Sequence, residues 1–250
     1  MAFVAGVDSS TQSTKVEIRD LDSGEVVGRG VAGHASVTPP LSEQDPTSWW
    51  SAFESAWEQA MAQAAPRTVD LKVSAISVAA QQHGMVALDA DDQPVHPAKL
   101  WNDTESAPDA EWLREQLASE GEDGAAAWAA AVGSVPVAAF TVTKLSWLHR
   151  TKPEAWADLA RVLLPHDYLT HRLTGAFTTD RGDASGTGYW SPTTGDYQWD
   201  ILALIDSDRD WPSTVPTVLG PLESAGTWNG MIVGPGTGDN MAAALGVGLR

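Results

Sequence analysis

Apolar and polar positions alternate with a period of two at the start of the chain. FVAGVDSS and KVEIRDL are predicted strands joined by the short turn TQST, and Gly24 marks a second hairpin into EVVGRGV. Three antiparallel strands therefore open the fold. The period then changes in DPTSWWSAFESAWEQAMAQAA, where Trp49, Phe53, Trp57 and Ala60 fall along one helical stripe. Asp45 stands as the N-cap of that helix and Pro46 at its first position. LKVSAISVAA reads as a buried strand, QQHG as the loop at its end, and MVALDADDQPV as a strand and turn leading to KLWND.

From Thr104 to about Arg172 the pattern is mainly helical, in DAEWLREQL, AAAWAAAV and TKLSWLHR, and RVLLPHDYLTHRLTG is a strand followed by a helix. WPSTVPTVLGPLESAGTW lacks helical period and is rich in Pro, Gly and Ser, so it is expected to be a loop-rich connection. The chain then runs through VGPGTGDNMAAALG, a strand that meets glycines, presents Asp239 and enters an alanine-rich helix. Antiparallel hairpins linked by helices to further strands make an α/β class, with the helical stretch as an elaboration on the sheet. No internal repeat is present.

Composition narrows the chemistry. The 250 residues carry a formal charge of -18, a field that repels phosphate backbones, so nucleic acid is not an expected partner. No apolar run approaches the roughly 20 residues of a membrane-spanning helix. MAFVAGVDSS lacks the basic and apolar regions of a signal peptide, which gives the expectation of a cytoplasmic protein. With no cysteine, carboxylates, histidines and backbone groups are what the chemistry has to use. The 12 tryptophans suggest stacking on sugars, but several lie on helical spacing with other apolar residues, so most are expected in the core.

Four stretches could carry function, and each has an ordinary structural reading beside it. In DSSTQSTK, hydroxyls and turn amides could hold phosphate oxygens, Asp8 a hydrated Mg²⁺, and Lys15 could screen phosphate charge; a polar hairpin favours the same residues. QQHG lies at the carboxyl end of a buried strand, where open α/β sheets place ligands, and Gln82 offers both a donor and an acceptor; His83 by itself is equally a packed histidine. Trp101, Asn102 and Asp103 give an aromatic face, an amide and a carboxylate suited to a polyol, or plain turn and capping chemistry. Asp239 stands at a helix start behind glycines that permit close backbone approach, and it would serve equally as an N-cap.

Taken together and in this order, these stretches resemble the FGGY family of carbohydrate kinases, most closely its members acting on D-xylulose. Asp8, Ser10, Thr11 and Lys15 match the family's first phosphate hairpin, Gln81 to Gly84 and Trp101 to Asp103 its ketopentose motifs. Thr141, Lys144, Leu145, Trp147 and Leu148 match a family signature; LLPHDYLTHRLTG and TTDRGDASGT are similar to two more. The resemblance implies a ribonuclease H-like fold of the actin-like ATPase superfamily, a mixed sheet with helical insertions. Residues 1–235 would form the sugar-binding N-terminal domain of a two-domain kinase, and 236–250 the first helix of an ATP-binding domain. It further implies transfer of the γ-phosphoryl of ATP to the C5 hydroxyl of D-xylulose, with Asp239 as catalytic base. Asp8, Ser10, Thr11 and Lys15 would meet ATP, Asp8 and Asp239 would hold Mg²⁺, and Gln82, His83, Trp101, Asn102, Asp103, Asp239 and Asn240 would hold the sugar. Ser10 stands where many members have glycine, and Gly182 replaces a common serine.

Three rivals remain open at this point. The sugar could be gluconate, glycerol, ribulose or fuculose; the chain could act only as a sugar-binding module; or the tryptophans and carboxylates could belong to a glycoside hydrolase, whose two carboxyls stand roughly 5 to 9.5 Å apart. In the last scheme the hydroxyl-rich hairpin and the Gly-Asp-Asn helix start have no task. An apolar interdomain face is expected to promote association, with a homodimer as one form.

Overall fold

The computed structural model describes residues 2–67, 70–118 and 124–249. Its centre is a seven-stranded mixed sheet. The strands are β1 (Phe3–Ser9), β2 (Ser13–Asp20), β3 (Val26–Gly33), β4 (Val73–Ala80), β5 (Gly226–Trp228), β6 (Met231–Val233) and β7 (Thr237–Gly238). The spatial order is β5-β6-β4-β1-β2-β3, with β7 also paired to β4. The three expected hairpin strands are antiparallel, and β1 lies parallel to β4.

Alternation decides which face is covered. Phe3, Ala5, Val7, Val16, Ile18, Ile76 and Val78 point into one hydrophobic core with Trp49, Phe53 and Tyr168. The alternate residues Val4, Gly6, Asp8, Lys15, Glu17, Ser77 and Ala79 line an open groove on the opposite face.

Helix α1 (Pro46–Ala64) packs on the covered face, capped by the Asp45 carboxylate, which accepts from the Thr47 amide at 2.9 Å. Its contact with β3 is backbone-close: a Cβ on Gly30 would lie 1.9 Å from the Ala56 carbonyl oxygen, so only glycine fits there. Helix α2 (Pro165–Thr174) completes this layer through Tyr168, Leu169 and Leu173. A second core, built from Leu113, Trp128, Trp147, Trp156, Leu202 and Trp211, sits under the helical stretch, as the elaboration on the sheet required. Of the tryptophans, Trp101, Trp112 and Trp199 are exposed, and the remainder pack in or against the cores.

One expectation is corrected. The Pro- and Gly-rich segment from Trp211 to Trp228 holds two strands, Thr217–Leu219 and β5, the latter an edge of the central sheet. Three-residue strands are too short to show a period, so the turn residues around them dominated the pattern.

β6 and β7 are one line of pairing on β4, interrupted at Gly234–Gly236. Gly236 has φ +79°, and a Cβ there would stand 2.6 Å from Nδ1 of His166. The interruption ends the strand and launches α3 (Asp239–Gly246), a helix with no buried residue, which leaves Met241 and Leu245 exposed, with Val247 just after it. The two residues of β7, beyond Pro235, thus belong to the central sheet.

Candidate functional site

The register of β1, β4 and β7 brings the two ends of the sequence together. Asp8 pairs with Ala79, Ala79 with Thr237, and Ala80 with Gly238. Asp8 and the start of α3 therefore flank one strand, roughly 10 Å apart at two interstrand spacings. Asp8 and Lys15 are cross-strand neighbours, and their side chains pair at 2.8 Å with both about half exposed.

Asp239 is half-buried at the first position of α3, and its Oδ1 accepts from the Asn240 amide at 2.8 Å. Burial pushes its carboxyl above the ordinary range and the charge of Asp8 adds to this, against the Asn240 hydrogen bond. A carboxylate held above its ordinary range beside a second one suits a bound divalent cation, so Asp8 and Asp239 are residues that could hold Mg²⁺.

The hairpin tip is already organised. The Thr11 hydroxyl donates to Oε1 of Gln81 at 3.0 Å and accepts from Nε1 of Trp101 at 3.1 Å. Its proton is spent there. Ser10 donates its hydroxyl to the Ser13 carbonyl at 3.1 Å. What the turn offers an anion is therefore the backbone amides of Thr11 and Gln12, which have no acceptor among the described residues.

At the end of β4, Gln82 and His83 are held by groups far away in sequence. Oε1 of Gln82 accepts from Nδ2 of Asn240 at 2.6 Å, and its Nε2 reaches Oδ1 of Asp183 at 3.5 Å. His83 adopts φ +61°, stacks on Phe140 with ring centroids 5.0 Å apart, and holds the Gly186 carbonyl by Nδ1 at 2.9 Å. A carbonyl accepts only, so Nδ1 carries the hydrogen and Nε2 keeps a lone pair. Burial drives the imidazole toward its neutral form, and buried Lys144 reinforces this against the Gly186 contact. Lys144 itself is pushed down to about 7 by burial; its ammonium donates to the carbonyls of Ala138 and Ala139, just before Phe140.

Trp101 is 48% exposed, and Asn102 has Oδ1 out of solvent with no partner. Both line a cavity of about 660 Å³ with Ser10, Thr11 and His34. Asp103 does not join them, which corrects its expected place among the sugar ligands. It is fully buried, accepts from the amides of Ser42 at 2.9 Å and Glu105 at 3.1 Å, and pairs with buried Lys99 at 3.1 Å. Its task is to hold the Trp101–Asn102 turn from beneath.

The sequence gives no role to His166, Asp180, Asp183 or Thr237, yet these lie directly under Gln82 and the start of α3. Nε2 of His166 is 3.1 Å from Asp167 and 3.3 Å from each of Asp180 and Asp183. Asp180 caps the short helix Arg181–Ala184 and also accepts from the Thr237 hydroxyl at 3.1 Å. The capping pattern of Asp180 before Arg-Gly-Asp was visible in the sequence; the convergence on one histidine was not.

Residues 3–246 match the family model described as the N-terminal domain of the FGGY family of carbohydrate kinases. The chain is 48% identical over 257 residues to the xylulose kinase of Streptomyces coelicolor, covering 99% of this chain and 50% of that protein. The xylulose kinase of Streptomyces rubiginosus is 47% identical over the same shares. The crystal structure of xylulose kinase from Bifidobacterium adolescentis superposes with a TM-score of 0.88 at 38% identity, over 100% of this chain and 56% of that one. The chain thus spans about half the length of the curated relatives it matches.

Proposed function

Since the chain belongs to the FGGY family of carbohydrate kinases, we propose that it is the sugar-binding half of an ATP-dependent kinase that phosphorylates D-xylulose on its C5 hydroxyl. The observation that carries this reading is the 2.6 Å hydrogen bond from Asn240 to Gln82, which sets Asp239 beside the QQHG loop. Names of relatives at 47% and 48% identity supply the choice of sugar.

In this reading the sugar lies between His83, Gln82, Trp101 and the start of α3. Neutral His83 accepts a hydrogen bond from a hydroxyl at Nε2, and Asn102 lines the cavity beside Trp101, whose exposed indole covers a carbon face. Asp239 accepts the C5 hydroxyl proton. Its raised affinity for protons makes it a better base than a solvated aspartate, and phosphoryl transfer asks chiefly for alignment and late proton removal. The hairpin amides at Thr11 and Gln12, with Ser10 and Lys15 beside them, would meet the nucleotide phosphates. Asp8 and Asp239 would hold Mg²⁺, which supplies compensation of charge on the phosphoryl oxygens.

The exposed apolar residues of α3 and the groove lined by Val4, Gly6, Ala79 and Ala242 would face the ATP-binding half. Placement in the cytoplasm fits this metabolic role; the same apolar face would draw two copies of the isolated chain into a dimer. A glycoside hydrolase reading leaves the hairpin and the Asp239 helix without work.

The test is calorimetric titration of the chain with D-xylulose, gluconate, glycerol, ribulose and fuculose, alongside a coupled ADP-release assay of the whole protein with MgATP. Saturable heat and turnover are expected with D-xylulose in preference to the others. A stronger response to gluconate or glycerol would replace the sugar, and no response to any of them would remove the sugar-binding reading.

A further inference from the structure

His166 is buried to 0% exposure on α2, and no step of the proposed reaction uses it. Its Nε2 stands within 3.3 Å of carboxylates from its own helix (Asp167), the strand Thr178–Asp180 (Asp180) and the helix Arg181–Ala184 (Asp183). One N–H cannot align with three oxygens, and none of the three contacts has hydrogen-bond geometry; the ring acts as a shared positive charge. Burial opposes that charge, but the three carboxylates outweigh it and hold the imidazolium up to about 9. No lysine or arginine pairs with Asp167, Asp180 or Asp183 among the described residues. The Gly236 turn brings backbone without an ionisable side chain to the ring, and Tyr189 and Tyr197, which lie near Asp167, stay neutral because burial pushes both hydroxyls up.

The two outer carboxylates each reach one candidate substrate-holding loop. Asp180 takes the Thr237 hydroxyl at 3.1 Å, two residues ahead of Asp239. Asp183 faces Nε2 of Gln82 at 3.5 Å, so once it ionises, above about 7, its negative charge selects which end of the Gln82 amide turns inward and leaves Oε1 for Asn240. Without its cation the cluster would be three buried carboxylates in mutual repulsion, and protons would enter it. Protonated Asp183 no longer discriminates between the two ends of an amide. We propose that His166 is a positioning residue whose three carboxylate partners fix the start of α3 through Thr237 and the orientation of Gln82, so that one buried cation sets both sides of the sugar site. This rests on the sugar-binding reading of Gln82 and Asp239 given above.

The test compares wild type, His166→Lys and His166→Gln, all as the full chain. The first readout is the side-chain amide resonances of Gln82 and Asn240 and the backbone amides from Thr237 to Met241, followed by NMR as pH rises from 8, above the ionisation of Asp183, to 10. They are expected to move together with the His166 ring, to stay near their wild-type positions in His166→Lys, and to shift at every pH in His166→Gln. The second readout is D-xylulose affinity by calorimetry at pH 8: unchanged within about threefold in His166→Lys, and weakened at least about tenfold in His166→Gln, a loss of two hydrogen-bonded contacts. A variant His166→Gln with wild-type amide positions and wild-type affinity would overturn the proposal, as would loop amides that ignore the ring titration. Should wild type bind no sugar, the reading of function fails, and the amide readout still decides the role of His166.

Discussion

Asn240 donates its side-chain amide to Oε1 of Gln82 at 2.6 Å across 158 residues of sequence. This bond joins the loop at the end of β4 to the first turn of α3, so neither side of the site is placed independently. Gln82→Leu and Asn240→Ala should each weaken D-xylulose binding about tenfold or more, from lost contacts worth roughly 1–2 kcal/mol. In a double-mutant cycle the pair should couple by about 1 kcal/mol. Strict additivity in calorimetry would show that the two residues act separately.

Asp239→Asn keeps the shape and the helix start but removes the carboxylate proposed as the base. In the whole protein, turnover with D-xylulose and MgATP should fall by about a thousandfold, while sugar affinity stays within about threefold. A variant that loses sugar binding and turnover equally would make Asp239 a ligand for the ground state, and unchanged turnover would remove it from the chemistry.

His83 is pressed toward its neutral form by burial, with its Nε2 lone pair left for a hydroxyl. Its imidazole therefore titrates below the usual range near 6.5. Sugar affinity should decline as pH falls beneath that range, because a proton on Nε2 removes the acceptor. His83→Phe should keep the stack on Phe140 and lose the affinity at all pH values. An affinity that rises on acidification would contradict the tautomer inferred from Gly186.

Much of the architecture was legible from period and punctuation. The alternation in β1 and β2, the Asp45-Pro46 start of α1 and the glycine-broken run into Asp239 each rest on neighbours in sequence, where local rules operate. The motif order also pointed to the loops that converge. What the sequence concealed depends on partners more than fifty residues away: Thr11 between Trp101 and Gln81, and Asp180 beneath Thr237. Asp103 is the instructive failure. An Asn-Asp pair beside a tryptophan looks like a ligand set, but burial and a charge partner are three-dimensional facts, and Lys99 could not be matched to Asp103 from spacing alone.

The placement of Asp103 has its own consequence. Lys99 is held as a cation by Glu105, Glu43 and Asp103 against its burial, and Asp103 also satisfies two buried amides. Asp103→Leu should cost about 2–4 kcal/mol in urea unfolding, since it strands two amides and part of a buried ion cluster. Any fall in sugar affinity should be accompanied by that loss. A variant of native stability that no longer binds sugar would restore Asp103 to the ligand set.

The His166 cluster gives the fold a dependence on pH with a definite direction. His166 holds its proton to about 9 when folded against the ordinary 6.5, so folding retains a proton that the open chain gives up between those values. Its contribution is complete below about 6.5 and is lost as pH rises through about 9. Burial raises Asp183 from 3.8 to about 7 and Asp167 from 3.8 to about 6, so they too bind protons more firmly in the folded state, and their contributions fall with rising pH in that lower window. All three act in one sense. At about 1.4 kcal/mol per unit, the histidine supplies roughly 1–3 kcal/mol that is present at pH 7 and absent at pH 10. For a domain of this size that corresponds to a decrease of about 3–9 °C in Tm. Scanning calorimetry at pH 7 and pH 10 measures it directly, with His166→Lys as the control whose ammonium stays charged further up the scale. Equal transitions for wild type at the two pH values would mean that the imidazole is already neutral in the native protein, and that the three carboxylates share protons instead.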